Sequence, residues 1–401
     1  MSSSTPTSTP GKSPTHLLAR ALWRSAVRTG GAHLELEQHL DATYRWLCAA
    51  QDATPDGGVA GWFSLRSGWS TSYPETTGYI IPTFLALAEA RSDPEARERA
   101  LRMADWEADI QMQDGAVLSG VIGTPVGPAV FNTGQALFGW VSAFVVGEDE
   151  RHAQAARAAG KWLVEHQDED GAWRQSLSML TSGSAPTYNN RCSWALAYAA
   201  SVLGEDSFLE AARRNCEWTI AQQNELGWFA HTGFSDSEVP LLHTISYVIE
   251  GLLGVYAFSG ESRYLDAARK AADAIVDAYR QRALAGRLDE QWRATVSWRC
   301  PTGEAQVAVV LHRLERLLPG NGYAREGRKL IEDVANMQTQ LAHLGAGASD
   351  PIVGAVPGSF PIWGQYMRFC FPNWAAKFLL DALLLEVHGV EEKSFPETLA
   401  S

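Results

Sequence analysis

The sequence predicts an all-α fold, an (α/α)6 toroid or six-hairpin barrel, and three observations lead there. A Trp five residues ahead of a Gln recurs as Trp46/Gln51, Trp106/Gln111, Trp162/Gln167 and Trp218/Gln223. Each pair closes a charged amphipathic stretch and runs into a Gly-containing turn, and glycine past the last periodic residue is a helix stop. After each turn, a polar loop leads to a second and far more apolar segment. Such segments begin near Thr76, Asn132, Asn190, Leu242, Pro301 and Asn373, at intervals of roughly 50–70 residues. A helix apolar on every side needs burial on every side. Six of them enclosed by six amphipathic helices make nested rings. An open solenoid has no need for second helices so uniformly apolar.

The elements follow in chain order. Residues 1–13 are rich in Ser, Thr and Pro and read as a short disordered N-terminal tail. They lack the apolar core of a secretory signal. Residues 14–30 read as an extra helix outside the rings. A single catalytic toroid domain then spans residues 14–390, with 391–401 as a C-terminal tail. The turns of the first four hairpins are "QDATPDGGVAGW", "QMQDGAVLSG", "QDEDGAWRQ" and "QNELGWFAH". The fifth and sixth outer helices, near Tyr264–Arg282 and Tyr323–Leu341, lack the Trp but keep the spacing and the amphipathic pattern.

Composition narrows the function. The apolar fraction of 46% suits a well-buried core, and a net charge of −13 argues against nucleic acid or an anionic membrane as partner. No uninterrupted apolar run approaches the ~18–20 residues of a membrane span. Five widely spaced cysteines without a C-x-x-C fit reduced thiols in a cytoplasmic protein. Neither a metal site nor a cofactor is expected.

Every hairpin runs outer helix, long loop, inner helix, so the six inner N-termini gather at one mouth. The segment "SYPETTGYIIPTFLALAEA" is one such N-terminus. A carboxylate, a tyrosine and a proline open an apolar helix because that end stands at the rim of a funnel, where proline is tolerated. The other rim segments are equally polar. Asn132, Gln135, Tyr188, Asn190, Arg191, Trp298, Arg299, Gln306, Gln365, Tyr366, Asn373 and Lys377 are the candidate substrate-binding residues. Helix N-termini carry partial positive charge. Together with Arg191, Arg299 and Lys377 they predict affinity for an anionic group. Flat aromatic faces beside amide donors suit a pyranose ring.

Sugar chemistry by proton transfer needs two carboxylates, or one carboxylate with a tyrosine or histidine. Glu75, just before an inner helix, and Glu304, in the first turn of another, are the candidate acid/base pair, with His243 and Tyr73 as alternates. An acid in a first turn also stabilises the helix by ~0.3–1 kcal/mol with no chemistry at all. Asp381 lies deep in its helix, with Lys377 its natural (i, i+4) partner.

Across residues 33–388 the chain resembles bacterial VpsJ-type polysaccharide biosynthesis proteins, and more broadly the six-hairpin toroids of carbohydrate-active enzymes. The stretches "WLCAAQDATPDGG", "SYPETTGYIIPT" and "PNWAAKFLLDALL" carry the likeness. It implies exopolysaccharide or capsule metabolism, with the synthesis machinery as a partner, but supplies no reaction. The expected function is a glycoside hydrolase on an acidic oligo- or polysaccharide. The alternatives are a uronate epimerase or lyase, a non-catalytic glycan-binding toroid, and a terpene cyclase or prenyltransferase-like toroid. "GKWLVEHQDEDGAW" resembles the Gln-Trp repeat of triterpene cyclases, yet their D-x-D-D is absent. "LLHTISYVIEGLL" resembles N-acylglucosamine 2-epimerases at one His, but residues 344–387 hold no second one. The Cys-His-Gly type motif of lanthionine cyclases is also missing.

Overall fold

The structure, a computed structural model, describes residues 14–27, 34–124, 126–342 and 350–396. The expected N-terminal tail at 1–13 lies outside these residues, as do 397–401. Helix α1 (Pro14–Ala26) is followed by six hairpins: α2 (Leu36–Asp52) with α3 (Pro74–Arg91), α4 (Pro94–Ile110) with α5 (Val130–Gly147), and α6 (Glu150–Glu165) with α7 (Asn190–Leu203). Then come α8 (Asp206–Ala221) with α9 (Leu242–Ser259), α10 (Ser262–Gln281) with α11 (Pro301–Leu317), and α12 (Tyr323–Leu341) with α13 (Asn373–His388). The odd-numbered helices from α3 to α13 form the inner ring. Each packs on its two inner neighbours, and α13 returns to α3, so the ring is closed as the sequence predicts.

Local chemistry explains the boundaries. Outer helices start on polar caps: Asp93 accepts from the backbone N–H of Glu95 and Ala96, and Asp149 from that of Arg151. Inner helices α7, α9 and α13 stop at Gly204, Gly260 and Gly389 in the left-handed conformation. Helix α3 is buried on all sides from Thr76 to Leu87 and runs on past Pro82 to Arg91. Helix α5 has the length and composition to cross a membrane, but it is packed within the inner ring.

The repeated Gln is a clamp between hairpins. In each copy its Nε2 donates to a carbonyl of its own turn and to one on the next outer helix: Gln51 to Gly57 and Arg99, Gln111 to Gly115 and Ala155, Gln167 to Gly171 and Ala211, Gln223 to Gly227 and Ala267, all at 2.9–3.2 Å. The turn glycines have positive φ and lie against that next helix. A Cβ on Gly171 would come within 2.3 Å of the Arg214 carbonyl oxygen. The sixth outer helix closes the circle by the same device without the Trp. Gln338 donates to the Gly354 carbonyl at 2.7 Å and to Thr43 Oγ1 at 2.9 Å, and its Oε1 lies 2.7 Å from His39 Nδ1.

Two further features seal the ring. A small antiparallel sheet joins the first and last loops, with β1 (Trp62–Ser64) between β2 (Gly68–Trp69) and β3 (Cys370–Pro372). At the opposite end, residues 391–396 are expected to trail as a tail, but they fold under the inner ring instead. Glu391, Glu392, Ser394 and Phe395 are buried there. Arg313 donates to both glutamates, and Trp194 Nε1 donates to the Ser394 carbonyl at 3.0 Å. Buried arginine is the physical reason: a guanidinium in the core requires carboxylates, and this segment supplies them.

Candidate functional site

A cavity of about 510 Å³ opens at the mouth where the long loops meet. Its wall follows a simple register: the second residue of an inner helix faces it in four of six cases. These are Glu75 on α3, Phe131 on α5, His243 on α9 and Trp374 on α13. Tyr188 takes the corresponding place just before α7, in the short 3-10 turn Thr187–Asn189. Loops before α3, α5, α7, α9 and α13 add Trp62, Tyr73, Val121, Met179, Leu180, Phe234, Tyr366 and Met367. The loop before α11 contributes nothing to the lining.

Glu75 is half-buried and is the only acidic side chain among the lining residues. The Tyr73 hydroxyl donates to its Oε2 at 2.6 Å. Burial pushes the Glu75 carboxyl up to about 7, while the Tyr73 hydrogen bond pulls it back. At neutral pH this carboxyl can therefore both give and take a proton.

His243 is buried, and burial holds its imidazole neutral by pushing its pKa down to about 3. Its Nδ1 lies 2.5 Å from Gln306 Oε1. Gln306 Nε2 donates to Glu250 Oε2 at 3.0 Å, which fixes the amide with its oxygen toward the imidazole. Nδ1 must then carry the hydrogen, and Nε2 is left as a bare acceptor. Arg191 completes the support, donating to Glu250 Oε2 at 2.6 Å and to Gln135 Oε1 at 2.8 Å. The His243 ring lies against Tyr247, with centroids 4.4 Å apart, and more loosely against Tyr366.

The structure thus brings Glu75, Tyr73, His243, Tyr188 and Tyr366 to one cavity, and it separates the others from it. Glu304 is fully buried outside the lining. Arg299 Nε donates to its Oε1 at 2.9 Å, and Arg299 also pairs with Asp333 of α12 at 2.6 Å. The candidate acid/base pair Glu75 and Glu304 therefore does not share this cavity. Glu75 is the second residue of its helix and Glu304 the fourth, a rotation of about 200°, so one faces the cavity and the other the outer ring. Nor does any of the three cations expected at the mouth line the cavity. Arg191 is bound to Glu250, Arg299 to Glu304 and Asp333, and Lys377 to Asp381 at 2.5 Å and Glu392 at 3.0 Å. The Lys377–Asp381 pairing is the one expected from their spacing.

The amides hold helices and loops rather than facing the cavity. Asn132 donates to the Leu118 carbonyl, Asn190 to Asn215 Oδ1, and Asn373 to the Ala60 carbonyl and Thr76 Oγ1. Gln135 and Gln306 lie beneath the cavity in the support of His243. Trp298 packs over Gly286, where an added Cβ would come within 2.0 Å of its ring, and Gln365 is exposed outside the lining. Sequence reasoning missed Tyr247 and Thr244, although Tyr247 stands one turn after His243 on the same helix face. It also gave no place to the apolar residues Val121, Met179, Leu180 and Met367. Among the described residues, no group of three or more His, Cys, Asp or Glu side chains gathers as a metal site.

No family model and no curated protein matches the chain. Solved structures do, at low identity and over nearly the whole length. An unsaturated glucuronyl hydrolase specific for heparin matches at 14% identity over 88% of this chain and 96% of its own, with TM-score 0.67. A D-mannose isomerase matches at 14% identity over 87% and 97%, TM-score 0.65. An inactive variant of the α-1,6-mannanase of Salegentibacter sp. HEL1_6, in complex with α-1,6-mannotriose, matches at 12% identity over 88% and 98%, TM-score 0.59. The likeness is one of fold, the six-hairpin glycosidase-like toroid.

Proposed function

We propose that this protein is a carbohydrate-active enzyme that works by acid–base chemistry, with Glu75 as the group that moves the proton. The observation that carries the reading is the cavity itself: a single carboxyl poised near neutrality, hydrogen-bonded to Tyr73, in an aromatic chamber it shares with the neutral, orientation-locked His243. Aromatic faces with polar edges suit pyranose stacking. The fold is one on which glycoside hydrolases and a sugar isomerase are built. Glycoside hydrolysis with Glu75 as general acid is the primary reading, because a carboxyl that stays protonated near pH 7 can protonate a leaving oxygen. The likeness to VpsJ-type proteins supports a place in exopolysaccharide or capsule metabolism.

One observation favours a second reading. Two carboxylates are usual for glycoside hydrolysis, and the cavity lining holds one. A lone carboxyl with a tyrosine and an unprotonated imidazole nitrogen also suits proton transfer at a sugar carbon, as in epimerisation, isomerisation or elimination. Incubation of the protein with an oligosaccharide panel in deuterated water separates the two. New reducing ends with neither carbon-bound deuterium nor a carbon–carbon double bond mark hydrolysis; deuterium on carbon marks epimerisation or isomerisation, and new reducing ends with an ultraviolet-absorbing unsaturated sugar mark elimination. In either case Glu75→Gln is expected to lower turnover by at least 100-fold while saccharide binding persists. Binding without any turnover in the wild-type protein, unchanged by Glu75→Gln, leaves only a glycan-binding toroid.

A further inference from the structure

The lip of the cavity differs in kind from its floor. His243 sits low and buried, with the half-buried Glu75 and Tyr366 on the same cavity wall. The outer wall is carried by Met179 and Leu180, residues 52% and 56% exposed, with the half-buried Val121 and Met367 also in the lining. Large apolar side chains left in water at a concave site are costly unless something covers them in use. This lip is also held in place. Met179 N–H donates to Ser119 Oγ at 2.9 Å, Ser182 N–H donates to the Phe234 carbonyl at 2.8 Å, and Met179 lies over Gly120, where an added Cβ would come within 2.7 Å of its sulfur.

Charge points the same way. Arg191, Arg299 and Lys377 are all bound to carboxylates away from the cavity, and Arg368, exposed at the rim, is the one cationic side chain in the lining. A carboxylated sugar seated on the floor would lose its hydration beside Glu75 with no cation there to replace it.

We propose that the substrate is a glycoside uncharged at its reacting sugar and carrying an apolar aglycone. The sugar enters first, to the floor at Glu75 and His243, and the aglycone lies along Met179 and Leu180. This inference rests on the carbohydrate reading above and names its substrate class. The cavity volume accommodates a small glycoside of this kind.

The test is calorimetric titration of the Glu75→Gln protein, used to block turnover, with methyl and n-octyl glycosides of glucose, galactose and mannose below their micellar concentrations. Methyl glucuronide and 1-octanol serve as controls. At least one octyl glycoside is expected to bind tenfold or more tightly than its methyl counterpart, and the methyl glucuronide more weakly than methyl glucoside. Adding Met179→Ser and Leu180→Ser is expected to cut the octyl advantage below threefold. Equal binding of octyl and methyl pairs overturns the inference while leaving the carbohydrate reading intact. So does tighter binding of the glucuronide, 1-octanol binding as well as the octyl glycosides, or an octyl advantage that survives the double substitution. Failure of every glycoside to bind sinks the carbohydrate reading and this inference with it.

Discussion

His243 Nδ1 and Gln306 Oε1 stand 2.5 Å apart, and Gln306 is itself held by Glu250, so the imidazole has one permitted tautomer. Gln306→Leu removes the acceptor and leaves a buried N–H without a partner, a loss of about 1–3 kcal/mol. That loss is read in denaturant unfolding, and in the proposed chemistry kcat falls as well, about tenfold for each ~1.4 kcal/mol of transition-state stabilisation that the locked tautomer supplies. Ring-nitrogen NMR checks the cause: the wild-type ring shows a bare Nε2, and the variant a mixture of tautomers. A variant that keeps a single tautomer and full activity would show the relay to be irrelevant.

The pH profile follows from Glu75. Its carboxyl titrates near 7 because burial disfavours the charged form, so the protonated acid is present below that pH and lost above it. Activity that needs the acid is expected to decline as pH rises through about 7. His243 remains neutral above about 3 and adds no second limb between pH 4 and 7. Tyr73→Phe deletes the hydrogen bond that lowers the Glu75 pKa, so the falling limb should move to higher pH. A limb that moves down, or does not move, rejects the assignment.

A second buried acid makes a stability prediction. Glu107 on α4 is fully buried, neither of its oxygens has a hydrogen-bond partner among the described residues, and burial raises its pKa well above the usual carboxylate range. A carboxyl whose folded pKa lies above its unfolded value contributes stability below the unfolded value and loses it as pH rises through the folded one. Glu107→Met is therefore expected to stabilise the protein by about 1–3 kcal/mol at pH 8, with a smaller gain at pH 5. Denaturant unfolding at the two pH values measures this, and a gain independent of pH contradicts it.

Ring closure is tested at Gln338. Its bonds to Gly354 and Thr43, with His39 beside its Oε1, join the last outer helix to the first. Gln338→Ala should cost about 2–4 kcal/mol in denaturant unfolding, because it strands several buried polar groups at once. A cost below about 1 kcal/mol would mean that the clamp does not hold the ring.

Much of the architecture could be read directly from the residues. The expected starts at Asn190, Leu242, Pro301 and Asn373 are the observed ones, and α3 and α5 start two residues before Thr76 and Asn132. Period and apolarity are one-dimensional signals, and they survive in the sequence. The direction in which a rim side chain faces does not survive as easily. Glu75 and Glu304 look alike as acids at the start of an inner helix, and only the exact helix start separates second from fourth position. Arg191 reads as a mouth cation because its carboxylate partner, Glu250, comes from another element; for Lys377 the spacing gives Asp381, and only the second partner, Glu392, is hidden from it. The role of Gln338 went unread for a related reason: its sixth hairpin lacks the Trp that marked the other clamps.

The segment from Glu391 to Phe395 has a kinetic corollary. With Arg313 and Lys377 bound to it, it stoppers the end of the barrel opposite the cavity mouth among the described residues. Whatever reacts at Glu75 must back out along the path by which it came. A polymer cannot thread through such a barrel, so under the proposed function each sugar reaches Glu75 and leaves it on the side of the long loops.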